Sequence, residues 1–265
     1  MNIIPYIRLV WVAACAVSLL AQTRCLLELP LMPGWIDGFV FGGTVFGYHC
    51  THPDGRLRRI AWLFGLSGAL SLLGYYFSAQ SHTEAFVVIA LSALCWLGYY
   101  GFQRPGNQGL RARPLAKPVV VAITWAFVTV LLPAPTSVWP MLGGVLLGRS
   151  GFVFALALAY DLHDLSYDQK HGLPTLAGRL GEKRTFSLIY AALFLSVIAV
   201  AFNLYLKVYS TGAALGLWLS LFACALLLPR FFQKKAFSPW RKTLIDALMP
   251  FQFLLVWLHT EAFCS

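Results

Sequence analysis

Runs of apolar residues separated by short polar stretches occupy most of the chain. There are about nine, lying approximately at Leu9 to Ala21, Trp35 to Tyr48, Ile60 to Phe77, Ala85 to Phe102, Val119 to Leu132, Trp139 to Tyr160, Phe186 to Leu206, Gly212 to Leu228 and Leu244 to Phe263. Most approach the roughly 20 residues that a helix needs to cross a bilayer core. The runs are continuously apolar, whereas the strands of a membrane barrel alternate and stay near ten residues. Helices are therefore predicted. Gly42, Gly43, Gly143 and Gly144, with Pro133, Pro140 and Pro250, fall inside or beside the runs, which suits close helix packing in a membrane bundle. The pattern predicts an all-α integral membrane protein, one transmembrane helical domain over residues 1–265, with no soluble domain or linker.

Composition removes the soluble alternative. Of 265 residues, 59% are hydrophobic and only 11% charged, where a soluble chain has about a quarter charged. Lipid must serve as the outer solvent. The basic residues are unevenly placed: Arg56, Arg58, Arg59, Arg104, Arg111, Arg113, Lys117, Lys170, Arg179, Lys183, Arg184, Arg230, Lys234, Lys235, Arg241 and Lys242 all follow the second, fourth, sixth and eighth runs. The opposite loops hold little beyond Arg24 and Lys207. By the positive-inside rule the N-terminus is expected in the cytoplasm and the C-terminus on the other side. The net charge of +10 is then a topology signal, and no nucleic-acid partner is expected. Arg8 before a short apolar run also fits a secretory signal, but no small-residue cleavage site stands out after Leu20, so the run is read as a span. The six cysteines are scattered and read as small core residues, with Cys25 and Cys264 placed where they could meet on the oxidising side.

The chemistry concentrates after the sixth run, in Ala159-Tyr160-Asp161-Leu162-His163-Asp164-Leu165-Ser166-Tyr167-Asp168-Gln169-Lys170-His171-Gly172-Leu173-Pro174-Thr175-Leu176-Ala177-Gly178-Arg179-Leu180-Gly181. If the helix continues past the interface, Asp161, Asp164 and Asp168 lie at i, i+3 and i+7, three carboxylates on one face. Like charges so spaced destabilise a helix unless a cation sits among them. Oxygen ligands with room for water and phosphate suit Mg²⁺. Three solvated acids on an interfacial loop are the bland alternative.

The run from Asp161 to Gly181 resembles the second aspartate-rich motif of the UbiA superfamily of intramembrane prenyltransferases, including its downstream Gly, Thr-Leu-Ala and Leu-Gly. That family has nine helices, with aspartate-rich motifs after helices two and six on the cytoplasmic side. The resemblance implies that Asp161, Asp164 and Asp168 hold Mg²⁺ against a prenyl diphosphate. The diphosphate then leaves, an apolar cavity stabilises the allylic cation, and a small or lipid acceptor attacks it. Tyr100 and Arg104 are similar to the family's tyrosine and lysine four residues apart, and Lys117, Lys170, Arg179 and Lys183 would complete a cationic rim. An interfacial anchor pair is the other reading of Tyr100 and Arg104.

After the second run the family carries an Asn-Asp pair and further aspartates, whereas this chain reads Gly47-Tyr48-His49-Cys50-Thr51-His52-Pro53-Asp54-Gly55-Arg56. Asp54 is the one carboxylate left. His49, Cys50, His52 and Asp54 are possible ligands of another metal, although Pro-Asp-Gly is first of all a turn. Two alternatives to a transferase stay open: a bundle that binds or carries a lipid without catalysis, and an ion-coupled transporter. Finally, Asp37 and Arg149 lie inside apolar runs, each twelve residues before its loop motif. A charge at that depth is unfavourable unless paired or wet. The two are expected to face each other as an ion pair on the floor of a substrate cavity; the other reading puts Asp37 in the outer interface and has Arg149 bond backbone carbonyls or line the cavity alone.

Overall fold

The computed structural model describes residues 4–50, 54–78, 83–100, 113–170, 174–233 and 240–264. Among them lie the helices α1 (Ile4–Leu26), α2 (Trp35–His49), α3 (Gly55–Phe77), α4 (Thr83–Tyr100), α5 (Ala116–Ala126), α6 (Gly143–Lys170), α7 (Leu176–Tyr205), α8 (Thr211–Gln233) and α9 (Arg241–Cys264). Each apolar run has become one helix. Helices α1, α3, α6, α7, α8 and α9 are long and apolar enough to cross a membrane by themselves. The shorter α5 continues through a π-helical turn, Phe127–Leu131, and stops before Pro133, which lacks the N–H needed to go on.

The elements differ from the apolar runs mainly at their ends. Trp139 and Pro140, placed in the sixth span by hydropathy, sit in a 3-10 turn, Thr136–Met141, before α6. Helix α7 begins ten residues before the expected Phe186. Its first turn is capped by Thr175, whose hydroxyl accepts from the Gly178 N–H at 3.2 Å. At Gly181 (φ 76°, ψ 167°) the chain leaves helical geometry, a conformation that side-chain-bearing residues rarely adopt, and then enters the long apolar part of α7.

Helix α1 is part of the core. Ala13, Cys15, Leu19 and Leu20 are fully buried, and α1 packs on α9, α2 and the π turn. With α6 it is the most enclosed span, 61% buried, against 17% for the peripheral α3. Exposed leucines and aromatics such as Leu63, Leu66, Leu70 and Phe77 line α3, as expected where lipid replaces water. Cys15, Cys95 and Cys224 are thiols, and the side chain of Cys264 lies outside the described residues.

Helix pairs close where glycine removes a side chain. Between α2 and α3 a Cβ at Gly42 would meet the Phe64 carbonyl and the Gly68 backbone, so Gly42 and Gly68 let the two backbones touch. Between α6 and α7 a Cβ on Gly151 would lie 2.5 Å from Ser196 Oγ, and one on Gly144 would lie 2.6 Å from Asn203 Oδ1. Lipid tails are as apolar as leucine, so such close packing, rather than escape from water, holds membrane helices together.

Gly42→Val is therefore expected to force α2 and α3 apart and to lower stability by about 1–3 kcal/mol. Gly43→Ala meets nothing within 4 Å and should be neutral. Thermal unfolding of both variants in detergent checks this, and equal midpoints for the two would contradict the packing described.

Candidate functional site

At 28 residues, α6 spans about 42 Å, longer than a bilayer core of roughly 30 Å. Its last turns continue beyond the apolar stretch without a break. Asp161, Asp164 and Asp168 consequently fall within an arc of about 60° at one end of the bundle. Asp161 is fully buried and Asp168 nearly so, while Asp164 is partly exposed.

Cations from two other helices answer these acids. Lys117, in the first turn of α5, places Nζ 2.5 Å from Asp161 Oδ1. Asp161 Oδ2 is buried and accepts no hydrogen bond from the described residues. Lys242, in the first turn of α9, donates to Asp164 with Nζ 2.6 Å from Oδ1 and 2.9 Å from Oδ2. His163 Nε2 stands 3.9 Å from Asp164 Oδ1. The starts of α5 and α9 thus meet over the acidic face of α6.

A second layer lies just inside. The Tyr160 hydroxyl donates to the Lys242 carbonyl at 3.2 Å and also reaches the carboxylate of Asp246, one turn further along α9. Asp246 is 2% exposed and within the field of Arg8 from α1 and of Lys242. Tyr48, near the end of α2, lies within electrostatic range of Tyr160. The start of α1 and the end of α2 therefore join the same end of the bundle.

The residues expected from sequence divide into groups. Asp161, Asp164, Asp168 and Lys117 come together. Lys170, Arg179 and Lys183 are exposed on the neighbouring turns at the end of α6 and the start of α7. Asp54 caps α3, its Oδ1 accepting the Arg56 N–H at 2.8 Å, so Asp54 and Gly55 open a helix. His49 ends α2. Arg104 and His52 lie outside the described residues, as does the side chain of Tyr100. Among the described residues no group of three His, Cys, Asp or Glu side chains is gathered to hold a metal by itself.

The Asp37–Arg149 pair is not formed. Asp37 faces Arg24 instead, in a two-pronged pair with Nη1–Oδ1 and Nη2–Oδ2 both 2.9 Å, and it also accepts the Gly34 N–H at 2.7 Å to cap α2. Arg149 turns toward α1, where it donates to the Leu19 carbonyl at 3.1 Å and to Thr23 Oγ1 at 3.3 Å. The expectation failed because equal spacing along two helices leaves direction open, and Asp37 lies in the first turn of α2, beside the end of α1. Arg24, at the end of α1, was the nearer cation.

Two members of the site were missed in the sequence. Lys242 was legible only as one of many basic loop residues. Asp246 carried a usable signal, a lone acid in the first turns of an apolar span, where an unanswered charge is unfavourable.

The sequence matches the UbiA prenyltransferase family over residues 48–257. No curated protein matches it. Among solved structures, one from work on the biosynthesis of digeranylgeranylglyceryl phosphate synthase in membranes is similar in fold, with a TM-score of 0.61, 12% identity and 93% of each chain covered. At that identity the likeness speaks for the fold.

A double-mutant cycle distinguishes the observed pair from the expected one. Arg24→Ala and Asp37→Ala should show a coupling of about 1 kcal/mol or more, as contacting partners do. Asp37→Ala with Arg149→Ala should be additive within about 0.5 kcal/mol. Unfolding midpoints of the single and double variants supply both numbers.

Proposed function

Since the chain belongs to the UbiA prenyltransferase family, we propose that it moves a prenyl group from a diphosphate donor to a small or lipid acceptor within the bilayer, in a Mg²⁺-dependent reaction. One observation carries this reading. An unbroken α6 presents three aspartates at the bundle end, and lysines from α5 and α9 are already bound to two of them.

The donor set suits magnesium. Mg²⁺ normally takes one or two carboxylates and fills its remaining positions with water and substrate phosphate, so a three-residue protein cage is not required. The buried Oδ2 of Asp161, which accepts no hydrogen bond from the described residues, is a carboxylate oxygen suited to such a partner. Asp161, Asp164 and Asp168 would hold the ion, and when bound it would draw off the charge that develops on the departing diphosphate.

The protein's own groups do the rest. Before substrate binds, Lys117 and Lys242 neutralise carboxylates that otherwise would repel one another along the helix. When a diphosphate arrives, the same ammonium groups can turn from carboxylate to phosphate oxygen, at short range and without net change in pairing. Arg104, Lys170, Arg179 and Lys183 would supply the outer cationic rim that draws the anion in. Below them the apolar bundle keeps water from the allylic carbon as its bond to the diphosphate breaks. The acceptor then forms the new bond and gives up its proton. His49, His52 and Asp54 belong to the sequence between the second and third apolar runs, and this reading gives them a polar role toward the same substrate.

Purified protein with Mg²⁺ and a panel of prenyl diphosphates should release diphosphate, and chelation should abolish release until Mg²⁺ is restored. Asp161→Asn, Asp164→Asn and Asp168→Asn should each reduce release by about 100-fold or more, since several kcal/mol of charge stabilisation is at stake. Lys117→Gln and Lys242→Gln should raise KM for the donor about tenfold. Tight binding of the donor without release under every condition would overturn catalysis in favour of a lipid-binding bundle.

The proposed orientation places the aspartates and the N-terminus in the cytoplasm, following the clustered basic residues. In a cysteine-free background, Arg113→Cys should be labelled only from the cytoplasmic face and Ser137→Cys only from the opposite one. Reversed labelling would invert the topology.

A further inference from the structure

A polar cavity lies inside the bundle at the end away from the aspartates. Its centre is Arg149, 5% exposed and twelve residues before Asp161 on the same helix, hence about 18 Å from it along the axis. The guanidinium bonds a carbonyl and a hydroxyl of α1, both neutral, and among the described residues it forms no ion pair. Two of its five N–H donors are used in this way. Beside it Gln22 lines the same cavity, 0% exposed, with neither its amide nitrogen nor its amide oxygen hydrogen-bonded to the described residues. Tyr209, from the turn after α7, and Gln252, from α9, complete the polar side, and Tyr209 lies within the field of Arg149. Leu26, Val200, Leu217 and Leu221 form an apolar side.

We propose that this cavity is a binding site for the carboxylate of an organic acid. Burying a permanent cation in a membrane interior is unfavourable unless an anion accompanies it, and water would satisfy the donors without answering the charge. A cation is excluded by Arg149. A phosphate would bring more charge than one guanidinium offsets. The cavity volume is about 20 Å³, where a single water needs roughly 10–15 Å³, so it has room for a water as it stands and a larger group enters only as the lining side chains draw back. A carboxylate suits the charge and shape of the donors: it carries one charge, it is planar, and its two oxygens match the guanidinium fork. Gln22 can donate to the same oxygens, and the apolar side is suited to the carbon attached to them. The acid has two sources, a free short-chain acid or the head of a fatty acid in the surrounding leaflet. The site stands apart from the proposed diphosphate site, and binding to it is measurable whether or not transfer occurs.

The test is equilibrium binding of radiolabelled acetate and oleate to the purified full chain in a neutral maltoside, with acetamide and oleyl alcohol as uncharged competitors. Saturable acetate binding identifies a free acid as the occupant. Oleate binding with acetate silent identifies a lipid-borne one. In either case Arg149→Gln should weaken binding tenfold or more, and Gln22→Leu, which keeps the internal cation and guards against a misfolded Arg149 variant, should weaken it severalfold. The proposal is overturned if neither acid binds, if the uncharged analogues compete as well as the acids, or if Gln22→Leu binds like the unaltered chain.

Discussion

Charge inside an apolar bundle has to be answered, and much of this structure is arranged by the way its few buried charges are met. Arg24 takes Asp37 at the turn between α1 and α2. Lys117 takes Asp161, tying the start of α5 to α6, and Lys242 takes Asp164, tying the start of α9 to the same face. Arg149 reaches the α1 backbone and so joins α6 to α1. Each contact links helices that lipid alone would leave indifferent to one another, because association in a bilayer draws on packing and polar contacts rather than on escape from water.

The apolar packing sets how closely those contacts can form. Glycines at α2–α3 and α6–α7 bring backbones together, and the polar side chains between them, Ser196 and Asn203 for example, bond backbone carbonyls where the helices meet or along their own turns. Helix α6 stands at the centre of both systems. Its small residues fix its seat against α7, while its length carries the aspartates to one end of the bundle. A substitution that tilted α6 would move the aspartates and Arg149 together, since one rigid helix holds both.

The two polar regions on α6 differ in the kind of ligand they invite. At the aspartate end, two of the acids are already paired with lysines within the protein, so in the proposed reaction a substrate with its metal would enter by exchange of partners. At the other end a lone guanidinium with an amide beside it has donors to spare, so an anion can enter by addition. This difference in electrostatic design follows from the side chains themselves.

The sequence by itself determined the membrane class, the helices among the described residues and the clustering of three acids along α6. These are local properties: hydropathy over some 20 residues, the side on which basic residues collect, and the i, i+3, i+7 spacing of Asp161, Asp164 and Asp168, all of which act along one segment of chain. The likeness to the UbiA family was legible for the same reason, in a single continuous run. Tertiary structure alone decided who answers whom. Lys117 and Asp161 are 44 residues apart, and Lys242 and Asp164 are 78 apart. Asp37 and Arg149 precede their loop motifs by equal spacing, yet each turned to α1. Helical spacing sets the height of a side chain along the bilayer normal, but its partner depends on the rotation and neighbours of every helix, and those are fixed only when the whole bundle packs.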